Sequence, residues 1–353
     1  MENWAREAEV QTRILAYDAP GAMLAAAELI RRGELVAFPT ETVYGLGANA
    51  LCGQAVQKIF AAKGRPGDNP LIAHVCDIKG IEPLVARIPP LARRAMEAFW
   101  PGPLTIVFPK SGAVPDAVTA GLDTVAVRFP SHPVAQTLIE RAGCPIAAPS
   151  ANRSGRPSPT NAQDVYADMQ GRVPLILDGG ACGVGVESTV LDVSDGPLIL
   201  RPGGVTQGML EQALGMPVRV HQAALKPLEG EARSPGMKYK HYAPKAQVVL
   251  VEGEPEAMAR RAAQLYDEAL AKGNRPCILG TEELKDIYGE RAFYPLGKRA
   301  QPESIAHNLF AALREMDRRG SDAVFCETVE AQGVGLAIMN RLVRAAGYKI
   351  VKG

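Results

Sequence analysis

Apolar and polar positions along the chain follow two periods. Over Pro20–Arg32 the residues Met23, Ala26, Ala27 and Ile30 recur at helical spacing, and Gly33 supplies a helix stop. Leu35-Val36-Ala37-Phe38 then reads as a buried strand. The same pattern predicts strands at Leu71–Val75, Leu104–Phe108, Val125–Phe129, Ile146–Ala148, Leu175–Leu177, Val190–Val193 and Leu198–Leu200. It predicts helices at Ala55–Ala62, Leu91–Ala98, Val134–Ala142 and Ala162–Met169. This alternation implies an α/β domain without fixing strand direction.

After Gly203 the pattern changes. A short helix (Met209–Leu214) and strand (Val218–Val220) lead into Leu225–Pro244, a polar stretch with Pro227, Pro235, Gly236 and Pro244. It has no period and reads as a long linker, a kind of segment that tends to be functional or disordered. Strands at Val248–Val251, Cys277–Leu279 and Ala323–Cys326 then alternate with helices at Pro255–Ala271, Ser304–Arg319 and Leu336–Ala346. That is a small Rossmann-like α/β unit without a glycine fingerprint.

Composition narrows the function classes. The 353 residues suggest two domains, at roughly 100–200 residues each. A net charge of +1 lacks the basic excess of a protein that binds nucleic acid over much of its surface. Six scattered cysteines form no C-x-x-C pair, which fits reduced thiols in a cytoplasmic protein. The charged N-terminus lacks a signal-peptide run, and no segment reaches about 18 apolar residues, so no membrane span is expected.

Chemistry-bearing segments gather at the ends of the expected strands, where α/β sheets bind ligands. Pro39–Gly47 carries hydroxyls, one carboxylate and glycines; a tight turn with capping threonines explains it equally well. Lys63-Gly64-Arg65-Pro66-Gly67-Asp68-Asn69 places two cations where they suit phosphate oxygens or a helix dipole. His74 ends the next strand, and a lone histidine is more often structural than catalytic. Arg128 interrupts an apolar strand. Its partner is an internal carboxylate or a ligand anion; the convergence of polar segments favours the ligand. Ala148–Thr160 is dense in hydroxyls, and Glu187-Ser188-Thr189 and Arg201-Pro202-Gly203 stand at further strand ends. No phosphate-loop, Rossmann, zincin, nucleophile-elbow or kinase motif is present, so positioning and cations carry the chemistry.

Taken in order, PTETVYGLG, KGRPGDNPL, PGPLT, TVAVRFP, APSANRSGRPSPT, ESTVLD, RPG and the linker Ser234–Pro244 resemble the YrdC-type threonylcarbamoyl-AMP synthase family in its long, two-domain form. Val334, within the Gly-x-Gly of Gly333–Gly335, is a minor departure. The resemblance implies a twisted mixed-sheet YrdC-like domain with a concave cavity (residues 14–215). It implies a linker that folds over the cavity as a lid (216–246) and a C-terminal Rossmann-like domain (247–353). It implies that L-threonine, bicarbonate and ATP give L-threonylcarbamoyl-AMP and pyrophosphate, with Mg²⁺ carried mainly on the ATP phosphates. The product would feed tRNA threonylcarbamoyl-transferase machinery.

By the family pattern, Lys63, Arg65 and Arg128 are catalytic. Thr42, His74, Arg128, the Ala148 backbone and Ser188 bind threonine. Arg65, Asn69, Thr124, Ser150, Ser158, Arg201 and Tyr242 bind ATP. Two alternatives remain: a carbamoyl-AMP former of the hydrogenase-maturation type, which would carry C-x-x-C fingers absent here, and an RNA-binding module, which the net charge disfavours.

Overall fold

The computed structural model describes residues 10–226 and 242–353. Of the linker motif, residues 234–241, including Lys238 and Lys240, lie outside the described residues.

An eleven-stranded mixed sheet spans the first region. Its spatial order is Arg13–Ala16, Leu175–Asp178, Val36–Phe38, Gly45–Asn49, Ile146–Ala147, Ile72–His74, Thr124–Arg128, Leu104–Pro109, Thr189–Asp192, Leu198–Arg201 and Arg219–Val220. Parallel and antiparallel pairs are interspersed: Ile72–His74 runs parallel to Thr124–Arg128, which runs antiparallel to Leu104–Pro109. Every strand expected in this region is present.

Two strands were not expected. Arg13–Ala16 is a short edge strand. Gly45–Asn49 lies in the segment read as a turn. Its glycines suppress the usual strand signal, yet the packing requires them. A Cβ on Gly47 would stand 2.7 Å from both Phe38 and Ile146, so the strand fits between its neighbours only without a side chain.

The C-terminal sheet is fully parallel, in the order Phe293–Gly297, Pro276–Thr281, Ala323–Glu327, Gln247–Glu252, Ile350–Lys352. It docks on the first region through the helices Pro302–Arg318 and Val334–Ala345. Gly185, at φ 81°, passes so close to His307 that a side chain there would overlap the helix backbone. His307 Nδ1 lies 2.9 Å from the Gly183 carbonyl. Val186 packs with Tyr242, Phe310 and Ile338 in one buried cluster that spans both regions. No helix among the described residues is long and apolar enough to cross a membrane.

Candidate active site

A cavity opens where several strand ends meet, lined by residues from each of the marked motifs. Among the described residues five basic side chains line it (Lys63, Arg65, Arg128, Arg156 and Arg201) with one carboxylate, Glu187. Arg128 and Arg156 are ion-paired to Glu41 and Asp168 outside that lining, and a basic lining of this kind suits a polyanionic ligand.

Arg128 ends its strand buried in the cavity wall. Its Nη1 donates to Thr42 Oγ1 at 2.9 Å and its Nε to the Gly102 carbonyl at 3.3 Å. Gly102 thus gives the PGPLT motif a task. Nη2 stands 2.6 Å from Glu41 Oε1. The sequence left an internal carboxylate or a ligand anion as the partner of Arg128 and favoured the ligand; in the structure the internal carboxylate of Glu41 meets it. The contact is poorly aligned for hydrogen bonding, and both Glu41 oxygens and Arg128 Nη2 are buried without a well-formed hydrogen bond. The charges balance, but the geometry leaves room for a better partner.

Thr42 is set by Thr40. Thr40 Oγ1 donates to the Val43 carbonyl at 2.7 Å and lies 2.8 Å from Thr42 Oγ1. Its only proton being used, Thr40 accepts from Thr42. Thr42 then accepts from Arg128, so toward a ligand it can act only as an acceptor. His74 Nδ1 lies 3.1 Å from the Ile72 carbonyl and 3.3 Å from that of Ile146, which makes Nδ1 the protonated nitrogen. Burial, and then the Arg128 charge, push its pKa down to about 3. His74 is therefore a neutral ring with Nε2 as its acceptor.

Lys63 ends the Gly53–Lys63 helix, where Gly64 takes the left-handed conformation at φ 61°. Its Nζ donates to the carbonyls of Ser150 and Asn152, the latter at 2.6 Å, tying two motifs together. Burial, then the nearby Arg65, hold its pKa well below the usual lysine value. Arg65 Nη2 donates to the Asn69 carbonyl at 2.9 Å, which shapes the loop after the helix.

On the opposite wall Arg201 donates twice to the Ser188 carbonyl, with Nη2 at 2.9 Å, and once to Ser188 Oγ at 3.2 Å. Ser188 Oγ is also 2.8 Å from Thr105 Oγ1. Burial brings the Arg201 pKa down to about 10, so it stays charged at neutral pH. Tyr242 roofs this side with its ring 5.2 Å from that of Phe310. Its backbone sits at φ 66°, an uncommon conformation for a residue with a side chain.

The cavity thus brings together Thr42, Lys63, Arg65, His74, Arg128, Ala148, Ser150, Ser188, Arg201 and Tyr242. The Ala148 N–H is bonded to the Ile72 carbonyl, so a ligand contact from that backbone falls to its carbonyl. Three expected ATP-binding residues do not line the wall. Thr124 begins the strand that Arg128 ends, about 13 Å away at the usual rise. Ser158 is buried behind Glu187, to which it donates at 2.5 Å. Asn69 is buried with both amide atoms unpartnered. Conversely, sequence reasoning missed Glu41, Asn152, Arg156 and Glu187, all inside motifs it had marked. Asn152 lines the cavity and keeps a buried Oδ1 without a partner.

Two family models match the chain. One, described as telomere recombination and covering Sua5, YciO and YrdC proteins, matches residues 28–203. The other, described as the C-terminal domain of threonylcarbamoyl-AMP synthase, matches residues 205–347. A threonylcarbamoyl-AMP synthase of Pyrococcus abyssi is 50% identical over 93% of this chain and 94% of its own. One of Bacillus subtilis is 49% identical over 93% of each. The crystal structure of P. abyssi Sua5 complexed with L-threonine superposes with a TM-score of 0.90 at 47% identity, covering 97% of this chain and 99% of that one.

Proposed function

The chain belongs to the threonylcarbamoyl-AMP synthase family, and on that premise we propose that its cavity seats L-threonine against Arg128 and ATP between Lys63, Arg65 and Arg201. Threonine's amine takes up the carbon of bicarbonate as a carbamate, with loss of water. A carbamate oxygen attacks the α-phosphorus, the bond to the β-phosphate oxygen breaks, and pyrophosphate leaves. The carrying observation is the lining itself, with five basic side chains and one carboxylate among the described residues. Negative charge accumulates on phosphate oxygens along this path, and preorganised cations stabilise it.

Arg128 orients the threonine carboxylate, and Thr42 and His74 offer acceptors to its ammonium or hydroxyl. Mg²⁺, which screens phosphate charge when bound, enters on the ATP. Among the described residues Glu187 is the one lining carboxylate and has both oxygens engaged, and no cluster of three ligand-type side chains occurs among them. The same reading puts the enzyme in the cytoplasm, passing its labile product to machinery that modifies tRNA.

The test is pyrophosphate release by the purified protein given ATP, Mg²⁺ and bicarbonate, with and without threonine. Release that depends on threonine is expected. Release indifferent to threonine, or none, rejects the reading.

A further inference from the structure

Arg341 carries the C-terminal unit to the cavity wall. It lies on the Val334–Ala345 helix and is fully buried. Its Nε donates to Glu187 Oε2 at 3.0 Å, its Nη2 to the Glu187 carbonyl at 3.4 Å, and its Nη1 to the Pro202 carbonyl. These contacts bracket the site. Glu187 precedes Ser188, Pro202 follows Arg201, and Arg201 is bonded to the Ser188 carbonyl. One guanidinium from the second domain therefore fixes both backbone segments that present Ser188 and Arg201 to the cavity. It also stands 5.9 Å from the centre of the Tyr242 ring.

Adhesion between the domains does not call for this arrangement. Apolar residues of equal volume hold such an interface as well as a buried ion pair, or better. A separate link already fastens the interface, since Arg314 donates to Asp168 at 2.8 Å. What a guanidinium offers instead is a planar fork that sets several acceptors at once. Burial works against the charge of Glu187, but the Arg341 and Arg201 charges, together with the Ser158 and backbone hydrogen bonds, hold the carboxyl below its usual pKa.

We propose that Arg341 is a positioning residue for adenylyl transfer, clamping Glu187 and Pro202 so that Ser188 and Arg201 meet ATP in register. The C-terminal domain is thereby a structural part of the active site. This rests on the assignment of the cavity to ATP and threonine.

The test compares Arg341→Met, Glu187→Gln and the double variant in the full-length chain, by melting temperature, kcat/KM for ATP and KM for threonine. Arg341→Met is expected to melt lower, because it removes the ion-pair partner of a buried carboxylate, and to lose on the order of 100-fold in kcat/KM for ATP, as a misplacement of about 1 Å does. Threonine KM stays near the wild-type value. The double variant recovers melting temperature but not activity, and its loss does not exceed the larger single loss. If Arg341→Met does not fold, the double variant decides alone. A double variant with wild-type kcat/KM, or losses that multiply, overturns the proposal. Wild-type protein without threonine-dependent pyrophosphate release would instead reject the functional reading. The coupling is then read from the affinity of the same variants for a non-hydrolysable ATP analogue; equal affinity in all of them overturns the clamp.

Discussion

Arg128 and Glu41 form a buried ion pair at 2.6 Å in which neither group makes a well-aligned hydrogen bond through the paired atoms. A threonine carboxylate arriving at Arg128 meets a competitor already in place. Glu41 neutralises the arginine until substrate arrives, and its imperfect geometry makes the exchange inexpensive. Glu41→Gln removes the competing charge while keeping the shape. Threonine affinity, measured by calorimetry, is expected to hold or tighten. A loss of affinity would mean that Glu41 orients Arg128 rather than competing with the substrate.

Arg128→Ala removes the anchor itself. Hydrogen bonds to a charged group contribute about 1.5–3 kcal/mol each, so threonine affinity should fall by at least about tenfold. It also strands Glu41 in the interior, so the variant should melt lower. Pairing the change with Glu41→Gln restores neutrality and isolates the effect on binding. Normal threonine affinity in that double variant would misplace the threonine pocket.

How much of this was legible in sequence varies with the physics of each signal. The strand and helix pattern came through where apolar runs were continuous, as at Leu104–Pro109. It failed at Gly45–Asn49, where close packing against Phe38 demands glycine, the residue that erases strand propensity. The motifs located the cavity, because strand ends gather ligands. They could not say which way a side chain turns. Ser158 lies behind Glu187, and Thr124 sits at the wrong end of the strand that carries Arg128. Arg341 left no local trace, since its partner Glu187 is 154 residues away in sequence.

His74 supplies a pH signature. Its folded pKa of about 3 lies below the ordinary value of 6.5, owing first to burial and then to Arg128. The unfolded chain therefore binds the extra proton between those values, and stability rises with pH across the window. The contribution is full above about pH 6.5 and fades as pH falls toward 3. From pH 6.5 to 5 the loss is roughly 1.5 kcal/mol. His74→Gln should flatten that part of the melting-temperature profile. An unchanged slope would show that other groups set it.

Tyr242 forms the roof, its ring tilted against that of Phe310 at 5.2 Å. Tyr242→Phe keeps the ring, while Tyr242→Ala opens the wall. ATP KM is expected to rise about tenfold in the alanine variant, as for loss of one stacking-sized contact, and less in the phenylalanine variant. Equal values for the two variants and the wild type would remove the roof from the binding site.

Lys63 makes the remaining prediction, because its charge depends on what fills the cavity. In the empty site burial and Arg65 lower its pKa well below 10.5. ATP phosphates would restore it, since an opposite charge at close range favours the ammonium form. kcat/KM reports ionisations of the free enzyme, and kcat those of the substrate complex. An alkaline fall is therefore expected in kcat/KM for ATP, with the corresponding fall in kcat shifted to higher pH. Lys63→Arg cannot lose its proton in the accessible range. It should abolish the alkaline limb even if its bulk lowers the rate, because the limb reads ionisation and not packing. A limb that persists in Lys63→Arg would assign it to another group and leave Lys63 to the loop it ties through Ser150 and Asn152.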